Sequence, residues 1–214
     1  MASLATLLAL ADSRLPTGGH VHSGGAEEAI TRGMVTDVAT LRAFLRRRVR
    51  THGLVTASLA AALHAGRLST AAADRETDAR TPSPASRRAS RAQGRGLARL
   101  ARRVWPDQMD SEWDALGTTP HLAVAAGAVG AVSGLTPGQT ALSVVYTTMT
   151  GSATAAQRLL ALDPADVAIL TFELSALCVQ TAATAARELA ELSDPLLDVL
   201  AQGHAERERP LFVS

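Results

Sequence analysis

The chain has 214 residues, 47% of them apolar and only 3% aromatic, which fits one globular domain with a core of Ala, Leu, Val and Thr. All 21 basic residues are arginine, so a Walker-type phosphate loop, a Schiff-base lysine and a kinase-type Lys–Glu pair are excluded. A net charge of +1 predicts no bulk attraction to nucleic acid, and the single cysteine, Cys178, rules out an intramolecular disulfide and a CxxC metal site.

In chain order, the sequence reads as helix after helix. Ser3 is placed to cap a first helix with Leu4, Leu7, Leu8 and Ala11 on one face, ending near Asp12. No basic segment precedes it, so no signal peptide is expected. Residues 15–28, LPTGGHVHSGGAEE, then concentrate a proline, four glycines, two histidines and an acidic pair. Such chemistry predicts a shaped loop, with Ser23 capping a short helix to Arg32 and Gly33 stopping it. Asp37 caps a third helix with Val38, Leu41, Leu45 and Val49 in a stripe. Gly53 and Gly66 bracket a fourth, rich in Leu and Ala.

From 67 to 84 the composition turns polar, and TPSP at 81–84 is the clearest break in the chain. Ser83 and Pro84 open a fifth helix reaching Val104. Its periodicity sets Ala89, Ala92, Gly96, Leu100 and Val104 on one side, with Arg88, Arg91, Arg95, Arg99 and Arg102 on the other. Residues 105–117 read as a loop. Thr119-Pro120, Thr136-Pro137 and Asp163-Pro164 each repeat a cap followed by proline. They open helices over 121–133, 138–150 and 165–192, with a separate segment at 152–162 after Gly151. In the longest, Val167, Leu170, Leu174, Leu177, Thr181 and Ala185 keep the spacing of a central core helix. Glycines and prolines interrupt 121–162, so no membrane span of about 18 residues is expected there. Asp194 and Pro195 start a last short helix, and residues 203–214 are expected to form a flexible tail ending in the apolar pair Leu211 and Phe212. No strand-type alternation appears. The expectation is a single all-α domain, 1–214, a bundle of about eight to ten helices.

The chemistry is sparse. His20 and His22 lie two apart, which in an extended segment turns both rings to one side. With a carboxylate from Asp12 or Glu27 they are a candidate Ni²⁺ or Zn²⁺ pair, but no third ligand has fixed spacing and hydrogen-bonding loop histidines are the simpler reading. His52, His64, His121 and His204 are scattered, without an HExxH motif. Ser23 is not in a nucleophile elbow, Cys178 lies in an apolar helix, and Glu27 and Glu28 diverge on a helix. Fifteen arginines fall between Arg42 and Arg103 against three acids. That excess suits an acidic protein partner, or phosphate backbone in an RNA-binding alternative, though aromatics for stacking are nearly absent.

The residues also carry a family resemblance. ALADSRLPTGGHVHSGGAEEAI at 9–30 resembles the N-terminal signature of urease accessory proteins of the UreF family, LP-x-G-x-[FY]-x-x-S-x-G-L-E, matched by Leu15, Pro16, Gly18, Ser23, Gly25 and Glu27. RETDAR at 75–80, RASRAQGRGLARLA at 88–101, QRLLAL at 157–162 and SDPLLDVLAQGHAERERPLFVS at 193–214 are similar to later blocks in the same order, closest to actinobacterial members. His20 stands where the family has an aromatic, Ala26 replaces a leucine, and the tail reads RPLFVS instead of RLFRS.

The resemblance implies a cytoplasmic, non-catalytic, cofactor-free adaptor. With UreD (UreH) it would recruit the GTPase UreG and couple GTP hydrolysis to nickel insertion into apo-urease. It also implies a homodimer, with neither nucleic acid nor membrane as partner. The expected partner-binding residues are Pro16, Gly18, His20, His22, Ser23, Gly25, Glu27, Arg88, Arg91, Arg95, His204, Arg209, Leu211 and Phe212. A nickel carrier using His20 and His22 is the remaining alternative.

Overall fold

The computed structural model describes residues 4–12, 15–106, 114–191, 194–208 and 210–212, and all regular structure among them is helical. Helix α1 is Leu4–Leu10, a 3-10 turn covers Gly19–Val21, α2 is Ala26–Thr31 and α3 is Val38–Arg48. A π turn at Val49–Gly53 leads into α4, Leu54–His64, followed by α5, Thr70–Ala79, and α6, Pro84–Val104. The second half holds α7, Leu122–Val132; α8, Pro137–Leu160; α9, Pro164–Arg187; and α10, Pro195–Ala205.

Helices α4 and α7 form the centre. Each is apolar on every side, and residues 55–62 and 123–130 are buried without a break; a helix apolar all round is stable only inside other helices. Small side chains let the two approach closely. A Cβ on Gly127 would come within 2.6 Å of the Ala60 carbonyl oxygen. Helix α8 packs on α4 and α9, α9 also touches α4, and α6 covers α7. Leu41, Leu45, Val124, Met149, Leu170 and Leu200 make one continuous core across these elements.

The caps locate most helix starts. Asp37 accepts from the Thr40 amide at 2.8 Å and Thr40 returns the bond, a reciprocal capping box. Ser83, Thr136, Asp163 and Asp194 each cap a helix whose first residue is proline. At Pro120 the device fails: the cap position falls on His121, and Pro120 lies outside α7.

Several expected breaks are absent. Gly53 keeps helical dihedrals inside the π turn, so α3 and α4 run on without a loop. Gly151 lies within α8, and the two segments expected around it are one helix of 24 residues. A helix over 70–79 was missing from the sequence reading, because its exposed face is polar and only Ala73 and Thr77 are buried. Ser23 does not cap α2; the cap position is Gly25, in the left-handed region at φ 88°. Residues 203–205 complete α10.

Helix α6 corrects the expected faces. Its buried residues are Ala85, Gly94, Leu97, Ala98 and Ala101, whereas Val104 is 53% exposed. The Ala89–Ala92–Gly96 side faces the opposite way, where Gly96 meets the Thr17 carbonyl. The helix is therefore gripped on two sides, and the arginines lie between the grips. Helix α9, expected at the centre, is peripheral: Val167, Leu170, Leu174, Thr181 and Ala185 are buried, but the far side is open. By length and composition it is also the one described helix apolar enough to cross a membrane, with mean hydropathy 1.5 and a third of its most apolar window buried.

Gly94 is where the α6–α7 contact has least tolerance, since a Cβ there would overlap the Pro120 carbonyl and the His121 backbone. Gly94→Ala is expected to lower stability by about 1–3 kcal/mol despite its better helix propensity. Urea unfolding followed by circular dichroism checks this; a variant as stable as the parent would show that the two backbones separate freely.

Candidate functional site

Residues 15–28 lie against four helices, and their glycines are what permit it. The Thr17 carbonyl seats on Gly96 of α6, a Cβ on Gly24 would strike Arg48 of α3 and Ser152 of α8, and a Cβ on Gly25 would lie 3.7 Å from Leu200 Cβ of α10. Ser152 Oγ donates to the Ser23 carbonyl at 3.0 Å, and Arg48 donates to the Gly24 carbonyl at 2.6 Å. The motif is thus a wedge between the first and last parts of the chain. Its 3-10 turn at Gly19–Val21 removes the extended geometry that was to align His20 with His22. His22 is buried, and the side chain of His20 falls outside the described residues.

Glu27 is the closing element. Its carboxylate is 4% exposed and accepts from His204 Nε2 at 2.7 Å, the Leu211 amide at 2.8 Å and the Phe212 amide at 3.0 Å. Burial pushes its pKa up, but the Leu211 amide, the His204 ring and the Phe212 amide outweigh that, and the carboxyl lies below its ordinary range. Glu28, one residue on, turns to the other side and pairs with Arg32 at 2.8 Å and Arg207 at 3.1 Å. Four of the residues expected from sequence, Glu27, His204, Leu211 and Phe212, are therefore joined across more than 170 positions. Phe212 packs on the core while Leu211 is 79% exposed. Arg209 lies outside the described residues.

A second node stands beside the wedge. Asp194 caps α10 through the Leu196 amide and accepts both Arg47 nitrogens, at 2.7 and 2.8 Å, and Thr51 Oγ1 at 3.0 Å. Arg47 and Arg48 end α3, and the π turn that follows carries Thr51 and His52. Arg48 is half-buried, and desolvation, only partly offset by Asp194, lowers its pKa to about 10; desolvation and the Arg48 charge push His52 down to about 3. His52 is thus neutral at physiological pH. These groups line a cavity of about 590 Å³ that also meets His22, Gly24, Asp194 and Phe212.

The arginine-rich segment is largely structural. Arg67 donates to the Ala186 and Arg187 carbonyls at the end of α9, both at 2.9 Å, and Arg80 donates to the Ala190 carbonyl at 2.8 Å. Arg91 bridges Asp74 and Asp78 at 2.9 Å. Of the three arginines expected to bind a partner, Arg88 and Arg95 are exposed and Arg91 faces this acidic pair. Pro16 is exposed, Gly18 adopts φ 80°, and Ser23 is fully buried with its hydroxyl unpaired among the described residues.

Sequence reasoning missed the cluster of Asp74, Asp78 and His121, whose ligand-type atoms lie within 4.8 Å of one another. Asp78 accepts from His121 Nε2 at 2.9 Å, and His121 Nδ1 meets Ser90 Oγ at 3.0 Å. Asp74 and Asp78 are four apart on one helix face, a signal the sequence did hold. With Arg91 between the carboxylates, the cluster is closed by an internal cation.

Fold and site together define an all-α protein in which Glu27 is locked to His204, Leu211 and Phe212 over a helical core. Comparison with known proteins supplies the family: the model of the UreF family matches residues 35–175. Over its full length and theirs, the chain is 76% identical to the urease accessory protein UreF of Mycobacterium sp. (strain JLS), 75% to that of Mycolicibacterium vanbaalenii and 71% to that of Mycobacterium tuberculosis H37Rv. The chain belongs to the UreF family of urease accessory proteins.

A depressed carboxylate contributes stability that is complete above its unfolded pKa, near 4.5, and is lost as pH falls through the lower folded value. Glu27→Gln keeps the shape but removes one acceptor and the charge, and is expected to cost roughly 1–3 kcal/mol at pH 7. The gap to the parent should close as pH drops through the folded pKa. Urea midpoints measured from pH 7 to pH 3 check this; a gap independent of pH would place the loss elsewhere.

Proposed function

We propose that this chain is a non-catalytic adaptor in urease maturation, acting in the cytoplasm and without a cofactor of its own. With UreD (UreH) it recruits the GTPase UreG and couples GTP hydrolysis to nickel insertion into apo-urease. A chain without lysine holds no Walker loop, so the nucleotide chemistry is UreG's. Self-association as a homodimer belongs to the same reading.

The observation that carries the proposal is the Glu27 junction. It ties the wedge of residues 15–28 to His204, Leu211 and Phe212, with Pro16 and Leu211 both exposed. A partner that reads both at once senses whether the ends are joined, and differential affinity for joined and separated forms couples binding to shape. Arg88 and Arg95 add exposed positive charge from α6 for an acidic partner.

Co-purification with UreD and then UreG tests the adaptor. The full chain is expected to retain both, and a chain lacking the last ten residues to lose them. Arg88→Glu with Arg95→Glu, at exposed positions that leave the fold intact, is expected to weaken capture at least tenfold. A full chain that binds neither partner overturns the reading.

A further inference from the structure

Arg48 is a half-buried cation with no carboxylate paired to it among the described residues, and it borders the cavity of about 590 Å³ beside the wedge. Its fork is only partly occupied. Nη1 donates to the Gly24 carbonyl at 2.6 Å and Nε to the Thr148 carbonyl at 3.4 Å, while Nη2 has no acceptor among the described residues. Asp194 is the acid that acts on it through space, but both Asp194 oxygens are already filled by Arg47, Thr51 and the Leu196 amide. A desolvated charge left in that state calls for a counter-ion.

His52, four residues on, borders the same cavity. It is neutral at physiological pH, and its ring nitrogens have no hydrogen-bond partner among the described residues. Arg48, His52, Val55 and Leu59 follow one another at spacings of four, three and four, so they share one side of the run from α3 through the π turn into α4. All four line the cavity, and Val144 of α8 and Leu197 of α10 add apolar wall to it. A polar end with one positive charge thus continues into an apolar strip. At 1.5 Å per residue, the strip from His52 to Leu59 is about 10 Å long.

We propose that this cavity binds a small organic monocarboxylate, the carboxylate on the unfilled N–H groups of Arg48 and on an N–H of His52, the hydrocarbon chain along Val55 and Leu59. A guanidinium offers parallel N–H groups that match the two oxygens of a carboxylate. Neutral His52 adds a donor without adding charge. One unpaired positive charge balances one negative charge, so a monoanion leaves nothing uncompensated, whereas a phosphate dianion brings a second charge into a desolvated site. Arg48 repels a metal cation from the same place. The cavity lies within the size range of small-molecule sites, and the length of the strip suits a chain of about six to ten carbons. The proposal is independent of the adaptor reading.

Calorimetric titration of the full chain with sodium octanoate, kept below its micelle concentration, tests this. One octanoate per chain is expected to bind and to raise the melting temperature. Octanamide, which lacks the charge, and acetate, which lacks the chain, are each expected to bind at least tenfold more weakly, and inorganic phosphate at equal concentration is expected not to compete. Arg48→Gln is expected to weaken octanoate binding at least tenfold. Because Arg48 also holds the Gly24 carbonyl, an octanoate carrying a terminal diazirine gives a second readout on the parent chain alone. Its photolabel is expected on cavity-lining residues of α4 or α8, suppressed by octanoate and not by octanamide. Absence of octanoate binding overturns the proposal, as do equal affinities for octanoate and octanamide, displacement by phosphate, or a label outside the cavity. Several octanoates per chain, bound equally by Arg48→Gln, would be surface adsorption and overturn it as well.

Discussion

The structure depends on a carboxylate taken out of water. Glu27 is almost wholly enclosed, and a buried anion is tolerable only if its lone pairs are filled by donors held in place. Those donors are the His204 ring and the amides of Leu211 and Phe212. One is carried by a helix and two by an otherwise irregular segment, so satisfying one side chain in α2 organises the end of the chain. The glycines follow from this demand. Gly25 brings the start of α2 against Leu200 of α10, and any side chain at Gly24 would push the motif off Arg48. A motif that looks like a loosely built loop is instead a close-fitting part.

Much of the fold was legible because its signals are local. Ser83, Thr136, Asp163 and Asp194, each followed by proline, mark helix starts through cap chemistry confined to four or five residues. The failures fall where a distant contact overrides such a signal. Gly53 and Gly151 look like stops, yet both keep helical backbone: Gly53 is buried, and Gly151 is carried along by the buried Met149, Ser152 and Ala153 on either side of it. The period of α6 correctly separated arginines from small residues. It could not reveal that two opposed faces are covered, since periodicity marks a single apolar side.

For the site, the legible part was which residues matter chemically and the illegible part was what they touch. Glu27, His204, Leu211 and Phe212 were each singled out, but nothing in the sequence joins residues so far apart. His20 and His22 show the opposite error. Their alignment assumed extended backbone, and a turn of 3-10 helix at Gly19–Val21 replaced it. Arg91 shows a third kind: a charge counted toward an outward stripe is held by Asp74 and Asp78, because α5, unseen in the sequence, runs beside α6.

The arginines, 21 against 20 acids, serve in several places as internal ties. Arginine's planar fork reaches two carbonyls or both oxygens of one carboxylate at once. Arg67 uses it to hold the end of α9, and Arg47 to hold the start of α10. The two ends lie on either side of the connection between α9 and α10. The two anchors fix where α10 begins, and that start fixes where His204 and the chain end arrive. The Glu27 junction therefore inherits its geometry from Arg47 at the end of α3, Thr51 in the π turn and Arg67 just past α4. A change in that helix pair, through the π turn that joins them, reaches the junction by contiguous contacts instead of through solvent.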